Sequence, residues 1–594
     1  MEEAGREVAL ETGAPGSRAA WEQAAAAVLR KAGRMTEADA DASVWERLTC
    51  TTLDGIGITP LGTPELVADV TLGLGAPSAQ RGEGWDNRPL FGNPDPAVTA
   101  QEIVTDLENG ATSVWLQVGA AGGVPVEGLA TALKDVLLDA APVVLDGAST
   151  EAADEFARLA AGKPLADGTN LGLDPIGLFV RQETPRAAAD PEDYTNTVAA
   201  AARLAGDLGC RALVVDGTVV HDLGASDAQE LGYVLGVAAA YLRALEGRGT
   251  DVADAAGLIE VRLAATDEQF ATIAKFRAAR RLWARLLELS GVPAEQRGLH
   301  LHGVTSRPMM SRYDPWVNML RTCVASFAAG VGGADAVTVL PFDAAVGLPD
   351  ALARRVARNT SSLLVDESHV AEVSDPAGGS YAVEKLTDDL ARAGWAELDR
   401  IEVTGGIGAA LADGSLRQRV DEVAAARDEQ VARRERPITG LTEFPHLAEV
   451  RLQRAPYPGG GVPVRSYGHA FEALRDEPAR EQVFLATMGT VAAHTARASF
   501  AANLLAAGGV ETVNEGRHDD VDAVLAHYRG EKVVCLVGTD DAYAAWGAEL
   551  ADRLREAGAQ WVIVAGRPLD GTDDSCATGV DALDFLIRTR EKIR

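Results

Sequence analysis

The chain has little positive charge. It carries 55 Lys and Arg residues against 87 Asp and Glu, which gives a formal net charge of −32 over 594 residues. Such a charge repels the phosphates of nucleic acids and of anionic lipids, and no basic patch with interleaved aromatic residues offsets it. We therefore expect neither nucleic acid nor membrane partners. A polyanionic ligand would need a local cluster of arginines or lysines, which the charge balance does not reveal.

Paired cysteines and long hydrophobic runs are also missing. The chain has five widely spaced cysteines and no CxxC pair, at Cys50, Cys210, Cys323, Cys535 and Cys576. An odd, scattered set predicts free thiols in a reducing compartment and no zinc site. No stretch approaches about 18 uninterrupted apolar residues, and the acidic first residues lack the basic and apolar regions of a signal peptide. These absences predict a soluble, cytoplasmic protein.

Several signatures of catalytic sites are absent as well. The chain has no nucleophile elbow, no HExxH pair and no GxGxxG motif after a predicted strand. The triplet Gly459-Gly460-Gly461 has neither a preceding strand nor a following Lys-Ser/Thr, so it predicts a linker rather than a phosphate-binding loop. The pair Asp573-Asp574 lacks the spacing of a metal-binding loop, and we interpret it as solvated surface.

What is present is the composition of a folded protein with more than one domain. Hydrophobic residues make up 47% of the chain and charged residues 24%, which is ordinary for globular proteins. The length exceeds the roughly 250–300 residues at which a single core stops growing. We predict an N-terminal, partner-contacting helical segment at 1–47, a large domain at 48–435, a linker at 436–480 and a small domain at 481–594.

Short apolar runs alternate with helical stretches throughout the large domain. Such runs, bounded by Gly, Asp or Pro, are typical of buried parallel strands, and this many in one region predict a (β/α)₈ barrel. Seven strands are predicted at 114–116, 143–145, 178–180, 213–215, 259–263, 299–302 and 336–340. The eighth is assigned to 67–74. The helix at 276–289 is predicted to pack an apolar stripe on the sheet, with its arginines opposite.

The small domain alternates strands and helices more regularly. Strands are predicted at 483–486, 511–514, 533–537 and 561–564, with helices at 494–507, 521–528 and 542–556. This order is typical of a doubly wound α/β domain of the flavodoxin type.

Three histidines are candidate site residues. His300 and His302 stand two apart on a predicted strand, so they share a face, and at the carboxyl end of that strand the face would line an active site. A metal would require a third ligand that is not apparent, and a ligand-facing or vestigial role and simple core packing both stay open. His221 stands beside Asp222, as a general-base pair or as an ordinary capped loop histidine.

Long collinear stretches resemble one enzyme family. KFRAARRLWARL at 275–286, YDPWVNMLRTCVASFAAGVGGADAVTVLPFD at 313–343 and RVARNTSSLLVDESH at 355–369, followed by DPAGGSYAVE, are similar to the acyl-CoA mutases, and to methylmalonyl-CoA mutases in particular. The similarity runs from about residue 43 to the end. It implies a barrel that threads acyl-CoA through its axis and a flavodoxin-like domain whose histidine ligates the cobalt of cobalamin.

The residues that this resemblance assigns to catalysis in the barrel are replaced. Against the family pattern TMYAFRPWTIRQ, Gln80 stands at the substrate-contacting tyrosine and Glu83 at the following arginine. Against YHMQEAGA, Thr218 and Val219 stand at the Tyr-His pair, and His221 falls two positions late.

The cobalamin signature DxHxxG is replaced as well, within TMGTVAAHTA at 487–496. Val491 occupies the aspartate position, Ala493 the histidine and Ala496 the glycine, while His494 is one residue off. An axial ligand must reach cobalt along one direction, so a shift of one residue is a poor substitute. The turns GTD at 538–540 and AG at 565–566 also replace the small turns that approach the nucleotide tail, and Asp540 adds negative charge there.

These departures imply that the chain itself supplies no catalytic, cofactor-binding or metal-binding residue. The resemblance then implies a pseudo-enzyme, the small subunit of a heterodimeric mutase with a degenerate cobalamin domain. A homologous large subunit would bind adenosylcobalamin and convert (R)-methylmalonyl-CoA to succinyl-CoA. Three alternatives stay open: a subunit of a related mutase for isobutyryl-CoA or ethylmalonyl-CoA, an active mutase with His494 as a rerouted cobalt ligand, and a free-standing acyl-CoA-binding or chaperone-like protein.

Overall fold

A small helical segment precedes the barrel. The computed structural model of the protein describes residues 17–71, 73, 84–119, 123–181 and 191–593. Helices α1 (Arg18–Lys31) and α2 (Val44–Leu48) pack on each other, with the rings of Trp21 and Trp45 4.7 Å apart. A two-stranded antiparallel sheet follows, made of β1 (Cys50–Thr51) and β2 (Gly57–Ile58).

Nine parallel strand segments form the sheet of the large domain. They are β3 (Asp86–Asn87), β4 (Leu90–Phe91), β5 (Val114–Gln117), β6 (Val143–Asp146), β7 (Asn170–Leu173), β8 (Arg211–Asp216), β9 (Ile259–Ala265), β10 (His300–Thr305) and β11 (Ala336–Thr338). Their spatial order is β3-β11-β10-β9-β8-β7-β6-β5-β4. Because β3 and β4 are two pieces of one segment, interrupted at Arg88 and Pro89, the sheet closes on itself. The predicted TIM-type barrel is confirmed.

Helices cover the outside of this barrel. They are α3 (Pro96–Leu107), α4 (Leu129–Ala132), α5 (Thr150–Ala160), α6 (Pro175–Arg181), α7 (Pro191–Leu208), α8 (Thr218–His221), α9 (Asp227–Glu246), α10 (Val252–Gly257), α11 (Gln269–Leu289), α12 (Val317–Val331), α13 (Ala351–Ser362), α14 (Tyr381–Val403), α15 (Ile407–Ala412) and α16 (Ser415–Ala432). No helix in the described ranges is long and apolar enough to cross a membrane.

Two of the predicted barrel strands are wrong. The run 178–180 lies in α6, where Asp174 accepts a hydrogen bond from the backbone of Gly177 at 2.9 Å and so holds the first turn. The actual strand, β7, passes so close to its neighbour that a Cβ on Gly172 would lie 1.8 Å from the Leu145 carbonyl oxygen. The proposed strand at 67–74 is also not one: 64–67 is a 3₁₀ turn, residues 72 and 74 lie outside the described ranges, and the closing strand is 86–91.

Two of the four arginines of α11 are not opposite its packing face, whereas Arg285 is exposed as predicted. Phe276 and Trp283 are buried as predicted, but Arg277 and Arg280 are buried too. Arg280 donates to the carbonyl of Leu299 at 2.9 Å and bonds Asp335 at 2.7 Å. The prediction failed because neighbouring elements place carboxylate and carbonyl groups on both flanks of the helix.

The small domain has a five-stranded parallel sheet in the order β13-β12-β14-β15-β16. Its strands are β12 (Val483–Thr487), β13 (Thr512–Val513), β14 (Val533–Val537), β15 (Trp561–Ala565) and β16 (Asp574–Cys576), and its helices are α17 (His469–Asp476), α18 (Val491–Ala507), α19 (Val521–His527), α20 (Asp540–Ala542), α21 (Ala548–Glu556) and α22 (Ala582–Ile593). This is the flavodoxin strand order, as predicted. The short polar strand β16 and helix α22 were not predicted.

Tyr313 joins the two domains. Its ring lies between Arg451 and Arg475, with each guanidinium 4.1 Å from the ring centre. Its hydroxyl donates to Asp476, at the end of α17, at 2.8 Å. Tyr313 of the barrel domain is therefore held by Arg451, Arg475 and Asp476, which all come after the last barrel helix in the sequence.

Candidate functional sites at the barrel axis and the sheet edge

Charged side chains fill the axis of the barrel. Glu260 and Arg262 of β9 point inward and are at most 1% exposed. Arg88 donates to the two oxygens of Glu260 at 3.1 and 3.0 Å. Arg262 donates to Asp146 at 2.7 Å and to Asp216 at 3.0 Å. These bonds cross the axis and connect β6, β8 and β9 with the closing strand.

The two histidines of β10 belong to this network. Nδ1 of His300 lies 3.1 Å from Glu260, Nδ1 of His302 lies 3.5 Å from the same carboxylate, and Nε2 of His302 lies 2.8 Å from the Thr338 hydroxyl. The predicted shared face is confirmed. However, β10 begins at His300, so the pair lies toward the amino-terminal end of the barrel, away from the usual active-site end.

Neither histidine forms a metal site in the part of the chain that the structure describes, which has no group of three or more suitable ligands. Burial lowers the pKa of His302 to about 4, so its ring is neutral at pH 7. The arrangement matches a buried histidine that accepts and donates hydrogen bonds within a core.

An aromatic and apolar layer adjoins the charged network. The Arg262 guanidinium stacks 4.2 Å from the centre of the Trp115 ring, and His302 meets that ring edge-on at 5.2 Å. Val304 and Leu340 pack against Trp115. Large side chains thus occupy the axis that the resemblance assigns to acyl-CoA.

The electrostatics of the axis keep its carboxylates ionised. Burial raises the pKa of Asp216, but Arg262 and Arg181 outweigh it and bring the pKa down to about 2. Burial acts in the same direction on Glu260, and there Arg88 and the two histidines hold the pKa well below its ordinary value. The network is a set of paired charges, with no proton donor or acceptor near neutral pH among these two carboxylates.

His221 does not pair with Asp222. It closes the short helix α8, with Nε2 2.7 Å from the Ser306 hydroxyl and Nδ1 3.7 Å from Glu230. Asp222 instead accepts from Arg307 at 3.1 Å. Consecutive residues of a helical turn point in directions about 100° apart, so adjacency in sequence did not bring the two side chains together.

The other barrel positions singled out by the family pattern are structural where they are described. Thr218 is buried and donates to Asp216 from its backbone at 2.9 Å and from its hydroxyl at 2.6 Å. Val219 is buried beside it. Gln80 and Glu83 lie outside the described residues.

We call the carboxyl ends of the small-domain strands the sheet edge. The segment that follows β12 there is helical, and it differs from a loop that could present a cobalt ligand. Helix α18 begins at Val491, so Val491 and Ala493 lie in its first turn. His494 is buried in the same turn, and within the described residues its Nδ1 has no hydrogen-bond partner. An axial histidine needs both access to the metal and a group that orients its ring. His494 has neither.

Arg497 fills the space beside that turn. Its guanidinium donates to the Gly538 carbonyl at 2.7 Å and to Asp540 at 2.5 Å, and lies 5.0 Å from the centre of the Tyr543 ring. A Cβ on Gly566 would lie 3.6 Å from the guanidinium carbon. Arg497 therefore bridges the two turns assigned to the nucleotide tail, and the side chains at this edge do not fit a cobalamin.

The glycine triplet and the acidic pair of the sequence have structural positions. Gly460 and Gly461 follow Tyr457 in a 3₁₀ turn between the domains, in keeping with the predicted linker. Asp573 accepts from the backbone of Val562 and from Arg555, both at 2.8 Å. The acidic pair is thus tied to the sheet rather than simply solvated.

A parallel barrel joined to a doubly wound domain of flavodoxin order defines the architecture of the two-domain acyl-CoA mutases, a class of isomerases. Residues 172–502 match the family model described as methylmalonyl-CoA mutase. The chain belongs to the methylmalonyl-CoA mutase family, whose members are cobalamin-dependent.

Two relatives named as the small subunit of such an enzyme match 96% of this chain, and one named as the mutase itself matches 39%. The methylmalonyl-CoA mutase small subunit of Streptomyces virginiae is 45% identical over 603 residues, covering 96% of each chain. That of Propionibacterium freudenreichii subsp. shermanii is 34% identical over 608 residues, 96% of this chain and 93% of its own. The methylmalonyl-CoA mutase of Cereibacter sphaeroides is 36% identical over 231 residues, 39% of this chain and 33% of its own.

Proposed function

We propose that this chain is the small, non-catalytic subunit of a heterodimeric, adenosylcobalamin-dependent methylmalonyl-CoA mutase. The observation that carries the proposal is the filled barrel axis, where Arg88 pairs with Glu260 and Arg262 with Asp146, all of them buried. A ligand threaded along that axis would have to displace these charges and leave them unpaired. The small-subunit names of the relatives agree with this role.

In this proposal a homologous large subunit carries both adenosylcobalamin and acyl-CoA. It interconverts (R)-methylmalonyl-CoA and succinyl-CoA, and the present chain supports it structurally. The segment 1–47 and the barrel surface are the proposed contacts. Trp316 and Leu320, one turn apart at the start of α12, are exposed apolar side chains suited to such a contact. We place the complex in the cytoplasm, in keeping with the five free cysteines.

Two alternatives have specific consequences. A mutase with a rerouted cobalt ligand would need His494, whose burial in the first turn of α18 speaks against it. A preference of the complex for isobutyryl-CoA or ethylmalonyl-CoA would be set in the large subunit, so substrate profiling of the purified complex decides between them.

An absorbance titration of the purified chain with adenosylcobalamin tests the proposal. We expect no displacement of the nucleotide base by histidine, whereas the large subunit titrated in parallel gives that displacement. Isomerase activity should appear only when both chains are present and co-purify. Base displacement by this chain alone, abolished in His494→Ala, would overturn the proposal in favour of the rerouted ligand.

A further inference from the structure

A strap formed by residues 454–467 crosses the carboxyl mouth of the barrel. The Tyr457 hydroxyl donates to the carbonyl of Ala344, in the loop after β11, at 3.1 Å. At the other end, the backbone of Arg465 donates to the carbonyl of Asp222, after β8, at 2.8 Å. The strap is therefore fixed to opposite sides of the mouth by bonds that do not require a partner chain.

Beneath the strap lies a cavity of about 680 Å³. This volume is within the range of roughly 300–1,000 Å³ that holds small-molecule ligands. Leu90 and Leu340, at the carboxyl ends of barrel strands, and Met310 and Ala345 provide apolar lining, and Val462 lines it from the strap. The filled axis lies below, so the cavity is a chamber at the mouth and not a channel through the barrel.

Four arginines line this chamber in a chain whose overall charge is strongly negative. They are Arg307, Arg312, Arg417 and Arg465. The carboxylates among its described lining residues are Asp146 and Glu472. Asp146 is already paired with Arg262 at 2.7 Å, and Glu472 with Arg312 at 3.0 Å. Each of the four guanidinium groups also pairs with a carboxylate: Arg307 with Asp222, Arg312 with Glu472, Arg417 with Asp421 and Arg465 with Asp428. The chamber is therefore lined by guanidinium groups that are held in place by ion pairs.

Two of these arginines, Arg307 and Arg465, both bond Asp222 beside the chamber. Arg307 donates to the carboxylate of Asp222 at 3.1 Å, and the backbone of Arg465 bonds the carbonyl of the same residue. The Arg465 guanidinium reaches Asp428 at 2.5 Å and is about one-third exposed. A carboxylate entering the chamber can accept hydrogen bonds from guanidinium groups here while its hydrocarbon part contacts the apolar lining.

We propose that the strap-covered chamber binds an aliphatic carboxylate, with its charged end at Arg307 and Arg465 and its chain against Leu90 and Leu340. The filled axis leaves no path for a coenzyme A thioester threaded through the barrel, so the proposed occupant is a free carboxylate. The site belongs to this chain alone, so the proposal does not depend on a mutase partner.

Calorimetric titration of the purified chain with octanoate tests the proposal, with octanamide as the uncharged match. We expect one octanoate per chain and binding of octanamide weaker by about tenfold or more, because the amide lacks the charge that the arginines recognise. Equal binding of the two probes, or no binding of octanoate, would overturn it.

Two pairs of variants locate the site. Arg465→Gln should weaken octanoate binding by about tenfold, whereas Arg433→Gln, at a surface ion pair on α16, should leave it unchanged. Val462→Trp should abolish binding by filling the chamber, while Val450→Trp, at a highly exposed position before the strap, should not. Octanoate affinity unchanged in both Arg465→Gln and Val462→Trp would place the ligand elsewhere and refute the assignment. Circular dichroism verifies that each variant is folded, and the two chamber variants serve as independent tests.

Discussion

The barrel axis and the edge of the small sheet are both filled, but by different physical means. Along the axis, Arg88, Glu260 and Arg262 are buried and each has more than one charged or polar partner. At the edge one side chain, Arg497, bridges two turns and stays 31% exposed. A buried paired charge cannot move without leaving its partner unsatisfied, whereas an exposed arginine rotates away at little cost. Buried ion pairs fill the barrel axis. At the sheet edge, an exposed contact of Arg497 and the first turn of α18 occupy the space.

Breaking the axial network should have the largest effect. In Glu260→Gln the buried Arg88 keeps Asp86 but loses the other of its two carboxylate partners, and we expect the free energy of unfolding to fall by about 3 kcal/mol. Urea denaturation followed by circular dichroism measures the loss. Glu402→Gln, which removes the exposed ion pair with Arg243, is the control and should cost less than about 1 kcal/mol. Similar losses in the two variants would mean that the axis is not held by its charges.

Changing pH should separate two kinds of carboxyl group, the buried Asp216 and the half-buried Asp54. The pKa of Asp216 is lowered to about 2, so its stabilising contribution is present above about pH 4 and is lost as pH falls through 2. Burial, and then the charge of Asp227, raise the pKa of Asp54 to about 6. Its contribution is therefore present below about pH 4 and is lost as pH rises through 6.

The variant Asp54→Asn tests the carboxyl group whose pKa is raised. Relative to the unmodified chain, the variant should gain stability as pH rises from 4 to 7, by on the order of 2 kcal/mol. Urea midpoints measured across that range provide the test. The matched variant Asp69→Asn, at an exposed position, should follow the unmodified chain throughout. A parallel pH profile for Asp54→Asn would show that Asp54 is not the titrating group.

The sequence predicted most strands of both domains because buried parallel strands are apolar runs of β-branched residues. It failed at β7, whose residues Asn170–Leu173 include a glycine required by the close passage of β6. The axial network has a visible signal in the sequence: Glu260 and Arg262 alternate with apolar residues inside a buried strand. The role of Arg497 had none, since it depends on a turn whose bonded residues lie 41 and 43 positions further along the chain.

Weakening the contact between the barrel domain and the small domain at Tyr313 should have an intermediate effect on stability. Tyr313→Phe removes the hydroxyl that donates to Asp476 at 2.8 Å and accepts from Arg451 at 3.0 Å, but keeps the ring between its two guanidinium groups. We expect a loss of about 1 kcal/mol in the free energy of unfolding. Tyr381→Phe, at an exposed tyrosine, should have no effect. A second, separate unfolding transition appearing only in Tyr313→Phe would show that this contact couples the small domain to the barrel.

Removing Arg497 should have the smallest effect on stability and is the most direct test of the comparison. Arg497→Ala should cost less than about 1 kcal/mol, as should Arg553→Ala at another partly exposed ion pair of the same domain. We also expect no base displacement when Arg497→Ala is titrated with adenosylcobalamin, because α18 still begins at Val491 and His494 stays buried. If the variant did bind with histidine ligation, Arg497 alone would be masking the edge. The small domain would then differ from the barrel in kind, as a cofactor site closed by one rotatable side chain.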